Sequence, residues 1–300
     1  MSDKKIDPRL GRMERLIYEM SVAEQASLLK KIWLEKMGYE LDLEHPKTFN
    51  EKLQWYKLYY HHPDMPRCVD KVTFKDYIAE KLGEGYTAKM LRVWHSPDEV
   101  CFDGLPDRFV VKSNCQDNGR YIAIVRDKEN FDFCSLEREI KDYWFEPMNL
   151  LINGFCSAYH SVKPKVFVEE YVEQPALTPD DFKLLCFSGT PKFFSVATEH
   201  FFEPVNYPIG YYTLDWHWFE VQSGQHQIYK NALKPKHLDE MIDIAKTLSA
   251  GFPFVRVDFF DTNEKLYLAE LTFYPGGGFA KYAPPEFDAY MGSIFQIGNI

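Results

Sequence analysis

The sequence has no CxxC pair among its six cysteines, no run near the roughly 20 apolar residues that span a bilayer, and no surplus of positive charge. Each absence excludes a class of protein. The cysteines at 68, 101, 115, 134, 156 and 186 follow no regular spacing, so they frame neither a disulfide scaffold nor a zinc knuckle and read as reduced, mostly buried thiols. A formal net charge of -10 sets long-range repulsion against any polyanion, which argues against a general nucleic-acid binder but permits a local cationic phosphate pocket. The first residues are polar and charged with no apolar h-region, so the expected location is cytoplasmic. Internal repeats, low-complexity tracts and an obvious flexible linker are also missing.

What is present is an ordinary globular composition, 45% hydrophobic and 27% charged over 300 residues, enough for a large core in one divided domain or two small ones. Helical spacing marks the first seventy residues: Met13, Leu16, Ile17 and Met20, then Leu28, Leu29, Ile32 and Trp33. Thr48 followed by Glu51 is a capping box, and Leu53, Tyr56, Lys57 and Tyr60 carry that helix until Pro63 stops it. Its aromatic cluster, Trp55, Tyr56, Tyr59 and Tyr60, reads as a docking face. A helix is expected from Asp70 to Leu82, broken by Gly83 and Gly85. Strands are expected at 90–94, 109–112, 121–125 and 166–172 and in a hairpin from Phe182 through Ser188-Gly189-Thr190-Pro191, with a helical segment at 135–145. Residues 200–230 carry many aromatics and little period. Pro235 opens a helix with an apolar face of Leu238, Met241, Ile242, Ala245 and Leu248, stopped by Gly251.

The tract after that helix is the most informative. Phe254-Val255-Arg256-Val257-Asp258-Phe259-Phe260 and the segment 266–272 read as two strands joined by a short turn. Side chains alternate along a strand, so one surface of the hairpin presents Arg256, Asp258, Glu270 and Thr272. Magnesium favours oxygen ligands and keeps waters and substrate phosphates in its shell, which Asp258 and Glu270 could complete. A solvent-exposed strand pair would use the same residue types. The following Pro275-Gly276-Gly277-Gly278 tilts the reading toward a site, because glycines allow a ligand close to the backbone.

Lys112 ends a strand just before the polar loop 113–120, where its ammonium could reach phosphate oxygens while the turn presents N–H groups. The loop is neither a P-loop nor a dinucleotide fingerprint, and its one glycine is sparse for a phosphate cradle. A plain hairpin tip reads equally well from these residues alone.

Taken together, several segments carry a resemblance: Phe49-Asn50-Glu51-Lys52-Leu53-Gln54-Trp55, Asp70-Lys71, Leu105-Pro106-Asp107-Arg108-Phe109-Val110-Val111-Lys112, Glu169-Glu170-Tyr171, the tract 251–258, and Glu270-Leu271-Thr272-Phe273-Tyr274-Pro275-Gly276. Their order resembles the ATP-grasp fold, and more closely its TupA-like branch, associated with teichuronopeptide and surface (capsule) polysaccharide biosynthesis. The likeness runs over about residues 45–290. It implies an α+β chain with an additional mainly helical N-terminal section at 1–68 and a catalytic domain at 69–300, lid-like over about 105–165 and core over about 166–300. It also implies ATP and Mg2+ as cofactors. Lys112 would hold ATP phosphates, and the strand from Val168 to Val172 would form the adenine-side hinge. Glu169 or Glu170 would lie at the adenine edge with backbone groups of Tyr171 and Val172, and Asp181 would meet the ribose. Arg256 would face the transferring phosphoryl group or acyl-phosphate, while Asp258 and Glu270 bind magnesium. Thr272 would take the third metal-side position, where many ATP-grasp enzymes have asparagine, and loop 113–120 has fewer glycines than the family's usual loop.

The implied reaction is carboxylate activation by the γ-phosphate of ATP, giving an acyl-phosphate that an amine attacks. The expected partners are a saccharide carrying a carboxylate, such as a uronic acid, and an amino acid or peptide amine. Neither nucleic acid nor a membrane span is expected, although peripheral association with polysaccharide assembly enzymes is compatible. A glycosyltransferase, an ATP-dependent saccharide kinase and a noncatalytic binding module are the competing readings. His200, His217 and His226 lie in the variable middle and read mainly as structural, as does His61-His62. Trp216 and Trp218 could stack on sugars or serve as strand-core residues.

Overall fold

The computed structural model describes residues 19–115, 121–146, 155–173, 180–198, 206–262 and 264–298. Of the expected N-terminal helical residues, Met13, Leu16 and Ile17 lie outside this range. Helix α1 (Val22–Met37) starts on a Ser21/Glu24 capping box and stops at left-handed Gly38. It buries Leu29 and Trp33 in a satellite core with Leu41, Leu43, Trp55 and Leu58. Helix α2 (Phe49–Tyr59) has the expected Thr48/Glu51 box but ends before Pro63. It is covered nearly all round. Phe49, Leu53 and Tyr56 enter the main core, and Tyr56 stacks on Tyr60 with ring centroids 4.8 Å apart, so the aromatic docking face is docked within the chain itself.

Short helix α3 (Met65–Val69) leads through Asp70 into α4 (Thr73–Leu82), which begins three residues later than the periodicity predicts because Asp70–Val72 form a turn. Strands β1 (Met90–Trp94), β2 (Phe109–Ser113), β3 (Ile122–Val125) and β4 (Val166–Glu170) make an antiparallel sheet in the order β1-β4-β2-β3. Helix α5 (Phe133–Glu139) and the π-turn 140–144 that continues it add Leu136, Ile140 and Trp144 to the core of this sheet. β4 stops at Glu170, so Tyr171 and Val172 leave the ladder.

The second sheet has six antiparallel strands, in the order β11-β10-β5-β6-β7-β8, drawn from β5 (Asp181–Phe187), β6 (Thr190–Ala197), β7 (Ile209–Thr213), β8 (Trp218–Phe219), β10 (Phe254–Asp261) and β11 (Leu266–Thr272). Strand β9 (Gln222–Ser223) pairs instead with β12 (Tyr282–Ala283). Helix α6 (Leu238–Ser249) lies against β5, β6 and β10. It buries Ile244 where the sequence pattern favoured Ile242, which sits half-buried at the rim. Helix α7 (Glu286–Ile294) packs against α2, close enough that a side chain at Gly292 would strike the Lys47 carbonyl. Phe49, Phe187, Phe254 and Phe295 meet at this junction with centroids 4.9 to 6.2 Å apart.

None of the six cysteines is in a disulfide; four are buried, and Cys101 and Cys134 are exposed. Among the described residues no helix is long and apolar enough to cross a membrane.

Candidate active site

The β10–β11 hairpin forms with the register its alternation demands. Arg256 lies directly opposite Thr272, and Asp258 directly opposite Glu270. A bulge follows between Asp258 and Phe259, which breaks the register just past the acidic pair. On the other side of β10, Lys183 of β5 stands opposite Asp258. The four predicted residues therefore share one surface, and a fifth, Lys183, joins them.

Arg256 is the hub of this surface. Its Nε donates to Asp258 Oδ1 at 2.7 Å and its Nη2 to Asp258 Oδ2 at 2.5 Å. Nη2 also reaches Thr272 Oγ1 at 3.1 Å and Glu270 Oε1 at 3.3 Å, and Thr272 Oγ1 donates to the same Glu270 oxygen at 2.9 Å. Burial acts against the guanidinium charge, but Asp258 and Glu270 outweigh it and raise the Arg256 pKa. The two acids differ in how deep they sit. Asp258 is 2% exposed, and burial pushes its pKa up despite Arg256. The Glu270 side chain is 32% exposed; there Lys71, at 3.9 Å, and Arg256 outweigh burial and pull the pKa down. Two opposed carboxylates and a hydroxyl are hard oxygen donors, so this set fits Mg2+, with Arg256 on their flank. Asp181 begins β5 and accepts from Lys183 Nζ on the same face.

The other predicted cation sits on the four-stranded sheet. Lys112 Nζ donates to Glu169 Oε1, and Lys75 Nζ of α4 takes the second oxygen at 2.7 Å and the Ala88 carbonyl at 2.5 Å. Glu169 is buried, yet the two lysines outweigh that burial and hold its carboxyl below the usual glutamate range. The carboxylate of Glu169 is thus committed to the lysines. Glu170 instead accepts from the Lys89 N–H at 2.9 Å, tying the end of β4 to the segment before β1. Beyond the strand, the Tyr171 ring lies under the Arg108 guanidinium at 4.2 Å and Val172 is half-buried.

Residues 116–120 of the expected phosphate loop lie outside the described residues, as does His200. The remaining candidates are held by the protein. His226 Nδ1 is 3.1 Å from the Tyr207 carbonyl, and His217 pairs with exposed Asp215 at 2.9 Å. Trp216 stacks on Tyr212 at 4.8 Å and donates to the Ala232 carbonyl, and Trp218 lies under Lys230. Sequence reasoning missed Lys71, Lys75 and Lys183 as members of the site. Lys183 had a signal, since it lies two residues from Asp181 on one strand face; Lys75 had none, because its partner Glu169 is 94 residues away.

No curated protein matches the sequence. Similar solved structures include the D-alanine–D-alanine ligase of Bacillus anthracis, at 15% identity over 83% of this chain and 71% of that one with a TM-score of 0.44. The same enzyme complexed with ATP matches at 15% identity over 88% and 82%, TM-score 0.40. The ligase from Coxiella burnetii matches at 14% identity over 76% and 57%, TM-score 0.42. The model of the TupA-like ATP-grasp family matches residues 51–296, from the first turn of α2 to just past α7 and so across both sheets; the chain belongs to that family and is an ATP-grasp ligase with an α+β ATP-grasp fold and a helical region before its core.

Proposed function

We propose that this ATP-grasp ligase uses ATP and Mg2+ to join the carboxylate of a uronic acid, in a surface polysaccharide or its precursor, to the amine of an amino acid or peptide. The observation that carries the reading is a pair of opposite charge clusters, Lys75 and Lys112 around Glu169 on one sheet and Asp258 and Glu270 around Arg256 on the other. A triphosphate and its cation need those two charge signs side by side.

In this reading Lys112 and Lys75 bind phosphate oxygens, and Glu169 keeps both ammonium groups aimed and charged. Asp258 and Glu270 hold Mg2+, with the Thr272 hydroxyl at their edge. Arg256 stands beside them, where negative charge develops on the transferring phosphoryl group and the acyl oxygen. The adenine edge falls to the backbone of Tyr171 and Val172, which leave the ladder after Glu170 and so have groups free of strand pairing, and Asp181 lies toward the ribose. The substrate carboxylate takes the γ-phosphoryl group, ADP leaves, and the amine displaces inorganic phosphate from the acyl-phosphate to close the amide. A cytoplasmic location, where ATP is supplied, accompanies this function.

The test is ADP release by the purified chain with MgATP, a panel of uronic-acid saccharides and a panel of amino acids, with products read by mass spectrometry. A ligase gives ADP, phosphate and an amide only when carboxylate and amine are both present. A phosphorylated saccharide formed without amine would make it a kinase, and turnover requiring a sugar nucleotide would make it a glycosyltransferase.

A further inference from the structure

A buried polar cluster outside the charged groups joins the two sheets. Val69, Phe74, Tyr77 and Ile78, around the start of α4, pack into the core of the six-stranded sheet, whereas Phe109, Val111, Val166 and Val168 of β2 and β4 belong to a separate core. Between these bodies Asn114, the residue after β2, is wholly buried. Its side-chain amide donates to Asp70 Oδ1 at 2.9 Å and to the Lys163 carbonyl at 3.0 Å, and its Oδ1 accepts from the Lys165 N–H at 2.7 Å. Its own N–H donates to the Lys165 carbonyl at 3.0 Å, and its carbonyl accepts from the Lys71 N–H at 3.1 Å. Lys165 Nζ closes the cluster on Asp70 Oδ2 at 2.6 Å, and Asp70 Oδ1 also accepts from the Val72 N–H at 2.9 Å. One carboxylate from the first body therefore clasps the roots of two strands in the second.

Position gives this cluster its consequence. Asp70 immediately precedes Lys71 and lies three residues before the helix bearing Lys75, Asn114 lies two residues past Lys112, and Lys165 immediately precedes the strand that carries Glu169. Each member is at the root of a segment that places a charged group of the site. A buried, fully bonded network has little slack, and losing one partner leaves the others unsatisfied, so such a cluster fixes geometry as well as adding stability. We propose that Asp70, Asn114 and Lys165 are positioning residues, a polar latch that sets the spacing between the lysine-bearing and acid-bearing sheets and hence the fit of MgATP between them. The proposal rests on the reading of the two charged groups as the nucleotide site.

Two measurements test it. In Asn114→Asp a second carboxylate faces Asp70 and both amide donors are lost; MgATP, titrated calorimetrically, should bind about tenfold more weakly, with Mg2+ alone unaffected. The exchange Asp70→Asn with Asn114→Asp restores a donor–acceptor pair in the reverse sense and should recover most of that loss. Persistence of the full loss in the exchange overturns the latch, because a merely loosened fold would not be rescued. If Asn114→Asp does not fold, Lys165→Gln keeps the Asn114–Asp70 bond, removes only the ammonium, and should weaken MgATP about threefold.

Spacing is read separately, without nucleotide. Cys134→Ser removes one exposed thiol, and spin labels go on Cys101 beside the smaller sheet and on Lys246→Cys of α6, both exposed. Pulsed electron paramagnetic resonance should give one narrow distance for the parent and a broadened or shifted distribution with Asn114→Asp. An unchanged distribution overturns the latch whatever the nucleotide does. A broadened distribution in a chain whose parent fails to bind MgATP would sink the nucleotide reading and leave the latch standing.

Discussion

The two halves of the site are built as opposites. On the four-stranded sheet a buried acid, Glu169, stands between Lys75 and Lys112; on the six-stranded sheet a half-buried base, Arg256, stands between Glu270 and the buried Asp258. Two lysines less one glutamate leave one positive charge in the first trio, and two acids less one arginine leave one negative charge in the second. Within each trio the most deeply buried charge, Glu169 in one and Asp258 in the other, is paired with a cation, and one charge of the trio is left in excess. An unpaired buried ion would cost several kcal/mol, whereas a trio with one excess charge avoids most of that cost and remains ready for a ligand of the opposite sign. Under the proposed function, phosphate goes to the first trio and the divalent cation to the second.

The largest expected effect comes from the acidic half. Asp258→Asn removes the bidentate partner of Arg256, and Glu270→Gln removes its opposite number on β11. Each should lower kcat by on the order of 10²–10³ and raise the Mg2+ concentration needed for half-maximal ADP release. Normal turnover and normal Mg2+ dependence in both variants would remove the acidic trio from the reaction and with it the contrast between the halves.

These halves differ as much in how visible they are in the sequence. The acidic half is local: two strands and a short turn, with period-two alternation that by itself puts Arg256, Asp258, Glu270 and Thr272 on one face. The same locality made the α2 capping box and most strand positions readable, with errors of a few residues at ends such as Asp70 and Val172. The basic half is assembled from α4, β2 and β4, and the contact between Lys75 and Glu169 spans 94 residues. No periodicity encodes such a meeting. Glu169 shows the cost: in sequence it is one of two adjacent acids at a strand end, and only packing reveals that its carboxylate turns to the lysines while that of Glu170 turns to Lys89.

A third buried charge tests how far charge compensation extends. Lys57 on α2 donates to the Gly277 carbonyl and, at 2.8 Å, to Gln54 Oε1, with its ammonium 4.7 Å from the Phe279 ring centroid. Burial pulls its pKa from the usual 10.5 down to about 8. The unfolded chain therefore binds this proton more tightly than the folded one. Below pH 8 both states are protonated and the fold carries the full penalty; between pH 8 and 10.5 the folded lysine is the first to become neutral, and the penalty is relieved. Urea unfolding of the parent and of Lys57→Met across that window should show the parent gaining roughly 3 kcal/mol relative to the variant. A flat difference would mean that Lys57 titrates normally and that its neighbours compensate it as well as Glu169 compensates the lysines.

Lys112→Met addresses the basic half alone. It removes one charge-assisted phosphate contact and leaves Glu169 paired with Lys75, so KM for MgATP should rise about tenfold while the affinity for Mg2+ without nucleotide stays at the parent value. If Mg2+ affinity falls as well, the two trios are not separate charge compartments.

The smallest effect has the most telling sign. Lys71 reaches from the turn before α4 to within 3.9 Å of Glu270 Oε2, with side-chain exposures of 20% and 32%, so solvent screens the pair and its worth is about 1 kcal/mol or less. It is a cation placed against the half proposed to accept a cation. Lys71→Met should therefore tighten Mg2+ binding in the absence of nucleotide, by up to about fivefold, and raising the ionic strength should shrink the difference between parent and variant. Weaker Mg2+ binding in Lys71→Met would mean that the ammonium holds Glu270 in its ligating position, and the negative surplus assigned to this half would then depend on a lysine supplied by the helical segment before the other sheet.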